Sequence, residues 1–176
     1  MNFIQTPLAG AFVIELVPMQ DERGSFARTF CRREFEAQGL DPTVAQCNVS
    51  HNVKRGTLRG MHLQNPPHEE AKLVRCVRGA IWDAIIDLRA GSATRGKWFG
   101  VELSEKNLRQ LFVPAGFAHG FQTLSDDTVV FYQMSNFYAA EAASGVPYDD
   151  PAFGIEWPLP VAEISPKDKT WPAYVP

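Results

Sequence analysis

The chain has 176 residues, of which 45% are apolar, with 17 basic and 20 acidic side chains and a formal net charge of −3. This length favours a single domain spanning residues 1–176, with enough apolar side chains for one core. The small negative charge, without a basic run, argues against a nucleic-acid-binding protein, and no apolar stretch approaches the ~18 residues of a transmembrane helix, so no membrane partner is expected.

Short runs rich in Val, Ile, Phe and Thr recur along the chain, separated by Gly, Pro, Asn and Ser. This pattern is typical of an all-β sandwich or barrel. In chain order, the predicted strands cover residues 11–18, 25–30, 43–50, 56–63, 71–78, 80–88, 97–103, 110–113, 118–124 and 128–136. Only residues 32–38 resemble a helix, which ends at Gly39.

The predicted strand 80–88 has apolar residues at every even position, whereas its odd positions alternate isoleucine with Asp83 and Asp87. Successive side chains of a strand point to opposite faces, so one face is expected to meet a core and the other to be mixed. From residue 139 onward the chain is rich in proline and is predicted to be a loop-like tail. Phe153, Ile155 and Trp157 give this tail apolar surface with which to pack on the barrel.

Two of the four histidines lie in motifs. His62 follows Arg59 in the run Leu-Arg-Gly-Met-His-Leu-Gln, and His119 closes the run Pro-Ala-Gly-Phe-Ala-His. A tight turn followed by a strand that carries a histidine presents an imidazole to the interior of a jelly-roll barrel. Strict alternation would put Arg59 and His62 on opposite faces, but a bulge at Gly60 could turn both inward.

Three further polar residues are unusual for their positions. Lys72 shares an apolar strand face with Val74 and Cys76, so it lies either at the rim of the barrel or in a functional cavity. Tyr132 lies on an apolar face too, where a core tyrosine with a bonded hydroxyl is the commoner case. Asp168, in Ser-Pro-Lys-Asp-Lys, taken alone would be a solvated loop charge.

A metal site is an alternative for the histidines. The Pro-x-Gly-x-x-His run resembles the second motif of metal-binding cupin barrels, and His62, Glu69 and His119 could supply three ligands. However, where a second imidazole would stand in the first cupin motif, this chain has Gln64, a poor ligand for zinc or iron. The substitution favours a barrel without a metal, used instead for acid–base chemistry.

With these motifs in register along nearly its whole length, the chain resembles the sugar 3,5-epimerases of the dTDP-4-dehydrorhamnose 3,5-epimerase family, in the cupin superfamily. The segments that carry the resemblance are Asp21-Glu-Arg-Gly, Phe26, Gln46-Cys-Asn-Val-Ser, Leu58-Arg-Gly-Met-His-Leu-Gln, Lys72-Leu-Val-Arg, Pro114-Ala-Gly-Phe-Ala-His, Tyr132, Tyr138 and Ser165-Pro-Lys-Asp. The resemblance implies an all-β, cupin-like jelly-roll barrel with few helical turns and a proline-rich C-terminal tail packed on it. It also implies a cofactor-independent epimerase that inverts C3, C5 or both of a nucleotide-linked 4-keto-6-deoxy sugar.

The resemblance also assigns roles to individual residues. It implies that His62 is the base, Asp168 its orienting carboxylate, Tyr132 the general acid, and that Lys72 faces the ketone oxygen. The implied substrate-binding residues are Arg23, Phe26, Gln46, Asn48, Arg59, His119 and Tyr138. The resemblance further implies a homodimer in which Arg23 and Phe26 are supplied by the neighbouring subunit.

Two positions depart from the family pattern. Arg28 stands where a glutamate is usual, and Ala143 stands where the family usually offers an acidic residue. Both positions belong to substrate binding, so these departures bear on which nucleotide and which sugar are accepted. Whether Asp83 touches His62 is a question that the sequence leaves open.

Two other classes of function remain at this stage. One is a keto-sugar isomerase on the same scaffold, since folds are readily reused, and the other is a non-catalytic sugar-binding barrel or metal cupin. The N-terminal residues lack the pattern of a signal peptide, and Cys31, Cys47 and Cys76 form no Cys-x-x-Cys pair. Reduced thiols of this kind predict a cytoplasmic protein.

Overall fold

Residues 1–175, which the computed structural model describes, form fourteen strands and one short helix. The elements are β1 (Asn2–Gln5), β2 (Phe12–Glu15), β3 (Met19–Asp21), β4 (Gly24–Phe26), α1 (Arg32–Ala37), β5 (Gln46–Asn52), β6 (Thr57–Gln64), β7 (Lys72–Arg78), β8 (Ala80–Asp87), β9 (Trp98–Ser104), β10 (Arg109–Val113), β11 (Phe117–Thr123), β12 (Thr128–Met134), β13 (Ala143–Gly145) and β14 (Glu163–Ile164). Within this part of the chain, no helix has the length and apolar character needed to cross a membrane.

The strands build two large sheets. The first has the order β1-β2-β10-β7-β12-β5, and the second has the order β13-β6-β11-β8-β9, with β14 added in parallel at the start of β6. All other neighbours in these sheets are antiparallel. The cupin-like jelly-roll predicted from the sequence is therefore confirmed.

The main core lies between the two sheets, where the inward faces of their strands meet. It contains Leu8, Ala11, Val13, Val74, Cys76, Ile81, Ile85, Leu103, Leu111, Val113, Phe117, Phe121 and Val130. Because inward and outward residues alternate along each strand, β7, β8 and β11 each contribute several of these side chains. Phe121 of this core, and Tyr132 packed against it, also line the cavity described below, so the core and the cavity adjoin inside the barrel.

Each sheet is also covered on its outer face. Helix α1 buries Phe35 against Phe12 and Phe112 on the first sheet. On the second sheet, Ala84 and Ile86 pack under Phe153 of the C-terminal tail, with Trp157 at the edge of the cluster. The tail therefore packs on the barrel as predicted.

Strand β8 has the expected face that mixes isoleucine with aspartate, and this face lies in the core and not at the surface. Both of its faces are buried, since Asp83 and Asp87 are fully buried on the face of Ile81 and Ile85, and the even-numbered face is covered by the tail. A buried carboxylate needs hydrogen-bond partners, and these lie outside the strand: Asp87 is bonded by Arg89, Ser92 and Thr94 in the loop that follows β8, and Asp83 by His119 of β11.

The structure corrects several element boundaries. Strand β1 was not predicted, and within the predicted strand 25–30 only the part up to Phe26 is extended in a sheet, as half of the β3–β4 hairpin. The tail contains two short strands, β13 and β14, which lie against β6. Strands β1, β13 and β14 are only two to four residues long. They are too short to show an alternation, so the strand beside which each lies decides its pairing.

The bulge expected at Gly60 is present. Opposite β11, His62 pairs with His119 and Arg59 pairs with Phe121, so two residues of β6, Gly60 and Met61, face the single residue between them. The extra residue turns Arg59 and His62 to the same face. Gly60 has φ +133° and its α-carbon lies so close to Gly120 that a β-carbon would be 2.6 Å from the Gly120 α-carbon. Only glycine fits this position without displacing the neighbouring strand.

Candidate active site

A cavity of about 800 Å³ opens between the two sheets, next to the main core. Its volume lies within the range of small-molecule sites. Its lining is mostly polar side chains from strands of both sheets and from the tail. The lining residues are Gln46, Asn48, Val49, Ser50, His51, Arg59, His62, Leu63, Gln64, Glu70, Lys72, His119, Phe121, Tyr132, Met134, Tyr138, Ala143, Ser144, Ser165, Lys167, Asp168 and Trp171.

His62 and Asp168 form a close pair at the wall of this cavity. His62 Nε2 lies 2.6 Å from Asp168 Oδ1, and the backbone N–H of Gly60 donates to Asp168 Oδ2 at 3.4 Å. Burial alone would raise the pKa of Asp168, but the hydrogen bond and charge of His62 and the Gly60 N–H hold that pKa below its ordinary value. An ionised carboxylate can only accept hydrogen bonds, so Nε2 of His62 donates to it, and in the neutral imidazole the free lone pair is then on Nδ1.

A second histidine–carboxylate pair lies deeper in the barrel. His119 Nε2 is 2.8 Å from Oδ1 of the fully buried Asp83, whose Oδ2 has no hydrogen-bond partner among residues 1–175. This answers the open question about Asp83, which contacts His119 and not His62. Its carboxylate orients the His119 imidazole beside the cavity.

Lys72 is buried in the cavity and is not at the rim. Its ammonium lies 3.1 Å from Glu70 Oε1 and 3.5 Å from the backbone oxygen of His62. The other carboxylate oxygen of Glu70, Oε2, has no hydrogen-bond partner within residues 1–175. The ion pair therefore holds a cation next to the proposed base.

Tyr132 faces His62 from the opposite side of the cavity, because it lies on β12 of the first sheet whereas His62 lies on β6 of the second. Burial raises the pKa of the Tyr132 phenol, and the charge of Arg59 offsets part of this rise. The hydroxyl therefore stays protonated at neutral pH and can donate a proton.

The predicted binding residues of the barrel itself reach the same cavity. Arg59 is oriented by a 2.7 Å hydrogen bond from its Nε to Asn52 Oδ1. Gln46 accepts the backbone N–H of Tyr138 at 2.9 Å, which ties the loop after β12 to β5. Asn48 lies next to Gln46 on the lining face of β5.

Arg23 and Phe26 do not line the cavity of their own chain. Both lie on the β3–β4 hairpin, where the Arg23 side chain is 89% exposed and Phe26 is 68% exposed. Arg28, which departs from the family pattern, also lies outside the lining and pairs with Glu34 at 3.0 Å. Ala143, the other departure, is on β13 within the lining.

The three ligands of the metal alternative are not brought together. His62 and His119 line the cavity, but Glu69 is exposed and is not part of the lining. In residues 1–175, no three His, Cys, Asp or Glu side chains are grouped as a metal ion requires.

Three residues near the cavity escaped prediction as site residues: Asp83, Glu70 and Trp171. Asp83 and Glu70 are polar residues within or beside apolar strands, which is a signal that their positions carry in the sequence. Trp171 offers no such signal, because a tryptophan in a tail is equally expected to bury apolar surface.

The family model described as dTDP-4-dehydrorhamnose 3,5-epimerase matches residues 5–175 of the chain. A dTDP-4-dehydrorhamnose 3,5-epimerase of Methanothermobacter thermautotrophicus is 47% identical over 173 residues, covering 97% of this chain and 92% of the relative.

Two crystal structures of dTDP-4-dehydrorhamnose 3,5-epimerases share the fold. The enzyme from Elizabethkingia anophelis NUHP1 superposes with a TM-score of 0.96 at 42% identity, covering 99% of this chain and 96% of the other. The enzyme from Bacillus anthracis, with TDP and PPi bound, superposes with a TM-score of 0.95 at 39% identity, covering 98% and 99%. Because the family model matches residues 5–175 and the relative from Methanothermobacter thermautotrophicus is 47% identical over 97% of the chain, the chain belongs to the dTDP-4-dehydrorhamnose 3,5-epimerase family.

Proposed function

We propose that this chain inverts C3, C5 or both of a nucleotide-linked 4-keto-6-deoxy sugar, carried on dTDP, by removing and returning a proton next to the ketone. The observation that carries the proposal is the His62–Asp168 pair facing Tyr132 and Lys72 across one cavity. The relatives described above are named as epimerases of a dTDP sugar, and the Bacillus anthracis structure contains TDP.

The first step is proton removal by His62. Because Nε2 donates to Asp168, Nδ1 is the atom that takes the proton from the carbon beside the ketone, and the C–H electron pair moves into an enolate. The Asp168 carboxylate then stabilises the imidazolium that forms. The His62 side chain is 43% exposed, so a substrate in the cavity can reach it.

The negative charge of the enolate collects on the former ketone oxygen. We assign the Lys72 ammonium, which is buried in the cavity wall, to stabilise that charge as it develops. The substrate also brings a pyrophosphate, for which Lys167 and Arg59 offer cationic side chains in the lining.

Inversion requires that the returning proton reach the opposite face of the carbon. Tyr132 lies on the other sheet from His62, so its hydroxyl can donate to that face and become a phenolate. Each turnover then ends with a proton too many on His62 and one too few on Tyr132, and exchange with solvent restores both. No cofactor enters these steps.

The proposal includes a homodimer in which Arg23 and Phe26 reach the partner's cavity, and a cytoplasmic location. The first part is supported by the exposure of both side chains on the hairpin, away from their own cavity. The second is supported by the free thiols of Cys31, Cys47 and Cys76.

Deuterium exchange tests the proposed function. The protein is incubated in heavy water with 4-keto-6-deoxy hexoses on dTDP, GDP and CDP, and exchange at C3 and C5 is followed by NMR. We expect exchange and inversion with the dTDP sugar, and a loss of about 10²–10⁴-fold in His62→Ala. His68→Ala, which removes a histidine outside the cavity lining, is the matched control and should keep its activity. Exchange without inversion, with a product whose carbonyl has moved to the neighbouring carbon, would assign the chain to the keto-sugar isomerases instead. If the folded protein catalyses no exchange, both the epimerase and the isomerase assignments are refuted.

A further inference from the structure

Trp171, in the C-terminal tail, contacts both members of the proposed base pair. Its indole N–H donates to Asp168 Oδ1 at 3.3 Å, the same oxygen that lies 2.6 Å from His62 Nε2. Its ring also meets the His62 ring edge-on, with centroids 6.2 Å apart and planes at 70°. One side chain therefore touches the base and its carboxylate at once.

The indole has two further neighbours, Gly145 and Lys167. Gly145 of β13, which pairs with His62 in β6, lies beneath it, and a β-carbon on Gly145 would be 2.5 Å from Trp171 Cε2. The Lys167 ammonium lies 5.1 Å from the ring centroid, a cation–π distance. The absence of a side chain at Gly145 lets the indole reach this position directly beside the strand that carries His62.

We propose that Trp171 is a positioning residue for the base of this enzyme, and that its N–H fixes the Asp168 carboxylate in the orientation that holds His62. This inference rests on the proposed function. Without the indole, Oδ1 keeps only His62 as a partner and Oδ2 only the long 3.4 Å hydrogen bond from Gly60, which leaves the carboxylate freer to rotate about its terminal bond. The donors Trp171 and His62 at Oδ1, with the Gly60 N–H at Oδ2, restrain that rotation. The imidazole then keeps Nδ1 aimed into the cavity.

Trp171→Phe tests the role because it keeps an aromatic ring over Gly145 but removes the N–H. We expect kcat for the dTDP sugar to fall by about tenfold or more, since small displacements of a reacting group cost this much, while KM changes less than about threefold because the substrate keeps its direct contacts. Trp157→Phe is the matched control. It makes the same change in the same tail, but the Trp157 N–H donates at 2.9 Å to the backbone oxygen of Tyr148.

A double-mutant cycle with Asp168→Ala tests whether Trp171 acts through that carboxylate. If it does, Trp171→Phe has little further effect on the exchange rate in the Asp168→Ala background, because the group it positions is gone. Equal losses of kcat in Trp171→Phe and Trp157→Phe, a change in KM alone, or a full additive effect in the Asp168→Ala background would each overturn the inference.

An NMR measurement separates this inference from the proposed function. In ¹⁵N-labelled protein, the Trp171 indole N–H resonance, assigned by its loss in Trp171→Phe, should shift in Asp168→Ala while that of Trp157 does not. If the wild-type protein shows no exchange but this shift is seen, the proposed function is wrong although the contact exists. If the enzyme is active and the resonance does not move, the positioning role is wrong.

Discussion

At the scale of single residues, Tyr132 separates proton removal from inversion. Removing its hydroxyl leaves His62 able to take the proton and return it to the same face, so Tyr132→Phe should still exchange deuterium while inversion falls by about 10²–10⁴-fold. The measurement is the ratio of exchange to product formation by NMR, with Tyr148→Phe, outside the lining, as the control. A variant that loses exchange and inversion together would contradict the assignment of Tyr132 as the acid.

The raised pKa of Tyr132 also predicts how kcat depends on pH in the alkaline range. Burial raises the pKa of its phenol above the ordinary value of 10.0. An acid must be protonated to act, so ionisation of Tyr132 removes activity only above pH 10, and its contribution is complete at neutral pH. In a plot of kcat against pH, a fall that begins below pH 9 and is absent from Tyr132→Phe would contradict this.

At the scale of elements, the bulge in β6 depends on Gly60. Gly60→Ala combines a positive φ with a collision against the backbone of Gly120, so we expect the free energy of unfolding to fall by more than about 2 kcal/mol. Gly39→Ala is the matched control, because Gly39 also has a positive φ but its β-carbon would meet nothing within 4 Å. In Gly39→Ala, the free energy of unfolding should fall by only about 1 kcal/mol.

Urea unfolding measures both glycine variants. Gly60→Ala should also lose exchange activity out of proportion to its folded fraction, because the bulge is what turns Arg59 and His62 to one face. Equal destabilisation by Gly60→Ala and Gly39→Ala would show that the close approach of β6 and β11 matters less than the backbone angle.

The end of β8 is stabilised by a carboxylate network that should fail in acid. The buried Asp87 accepts hydrogen bonds from Arg89 at 2.7 and 2.9 Å, from Ser92 at 2.5 Å and from Thr94 at 2.6 Å. Burial alone would raise the pKa of Asp87, but these donors hold it well below its ordinary 3.8. A lowered pKa means that the stabilisation is complete above about pH 4 and is lost as the pH falls toward the folded-state value.

The test of this network is urea unfolding at pH 7 and at pH 3. Asp87→Asn should lower the free energy of unfolding at pH 7 by roughly 2 kcal/mol and should weaken its decline toward pH 3. Asp41 is exposed, so Asp41→Asn should change neither the free energy of unfolding at pH 7 nor its decline toward pH 3. An unchanged pH dependence in Asp87→Asn would assign the acid sensitivity to another carboxylate.

At the scale of the whole molecule, the hairpin β3–β4 predicts that one chain completes the site of another. If Arg23 reaches the partner's cavity in a two-fold dimer, Arg23→Ala and His62→Ala should each be inactive alone. Mixed and reassembled, they should regain about a quarter of wild-type activity, because half of the dimers are mixed and each has one intact site. Sedimentation measures the dimer. An absence of regained activity in mixed dimers would place Arg23 at its own site or at none.

Much of the architecture follows from local sequence. The longer strands, such as β6, β7 and β11, were predicted to within a few residues, because each is a run of seven or eight residues bounded by turn-forming Gly, Pro, Asn or Ser. Short strands such as β1 and β14 could not be predicted, since four or two residues carry no period. The position of His62, Lys72 and Tyr132 on barrel strands followed from the same patterns.

The sequence by itself determined the kinds of group available and the strands that carry them: imidazoles on β6 and β11, a lysine on β7, a tyrosine on β12. The residue patterns alone paired neither histidine with a carboxylate: the Asp168–His62 pair was expected only from the family resemblance, and the Asp83–His119 pair was decided by the tertiary structure. Asp168 reaches His62 across 106 residues, and Asp83 reaches His119 across 36. Such pairs form because the packed tail and sheets bury a charged group that must then find a donor, and the donor nearest in space is unrelated to the donor nearest in sequence.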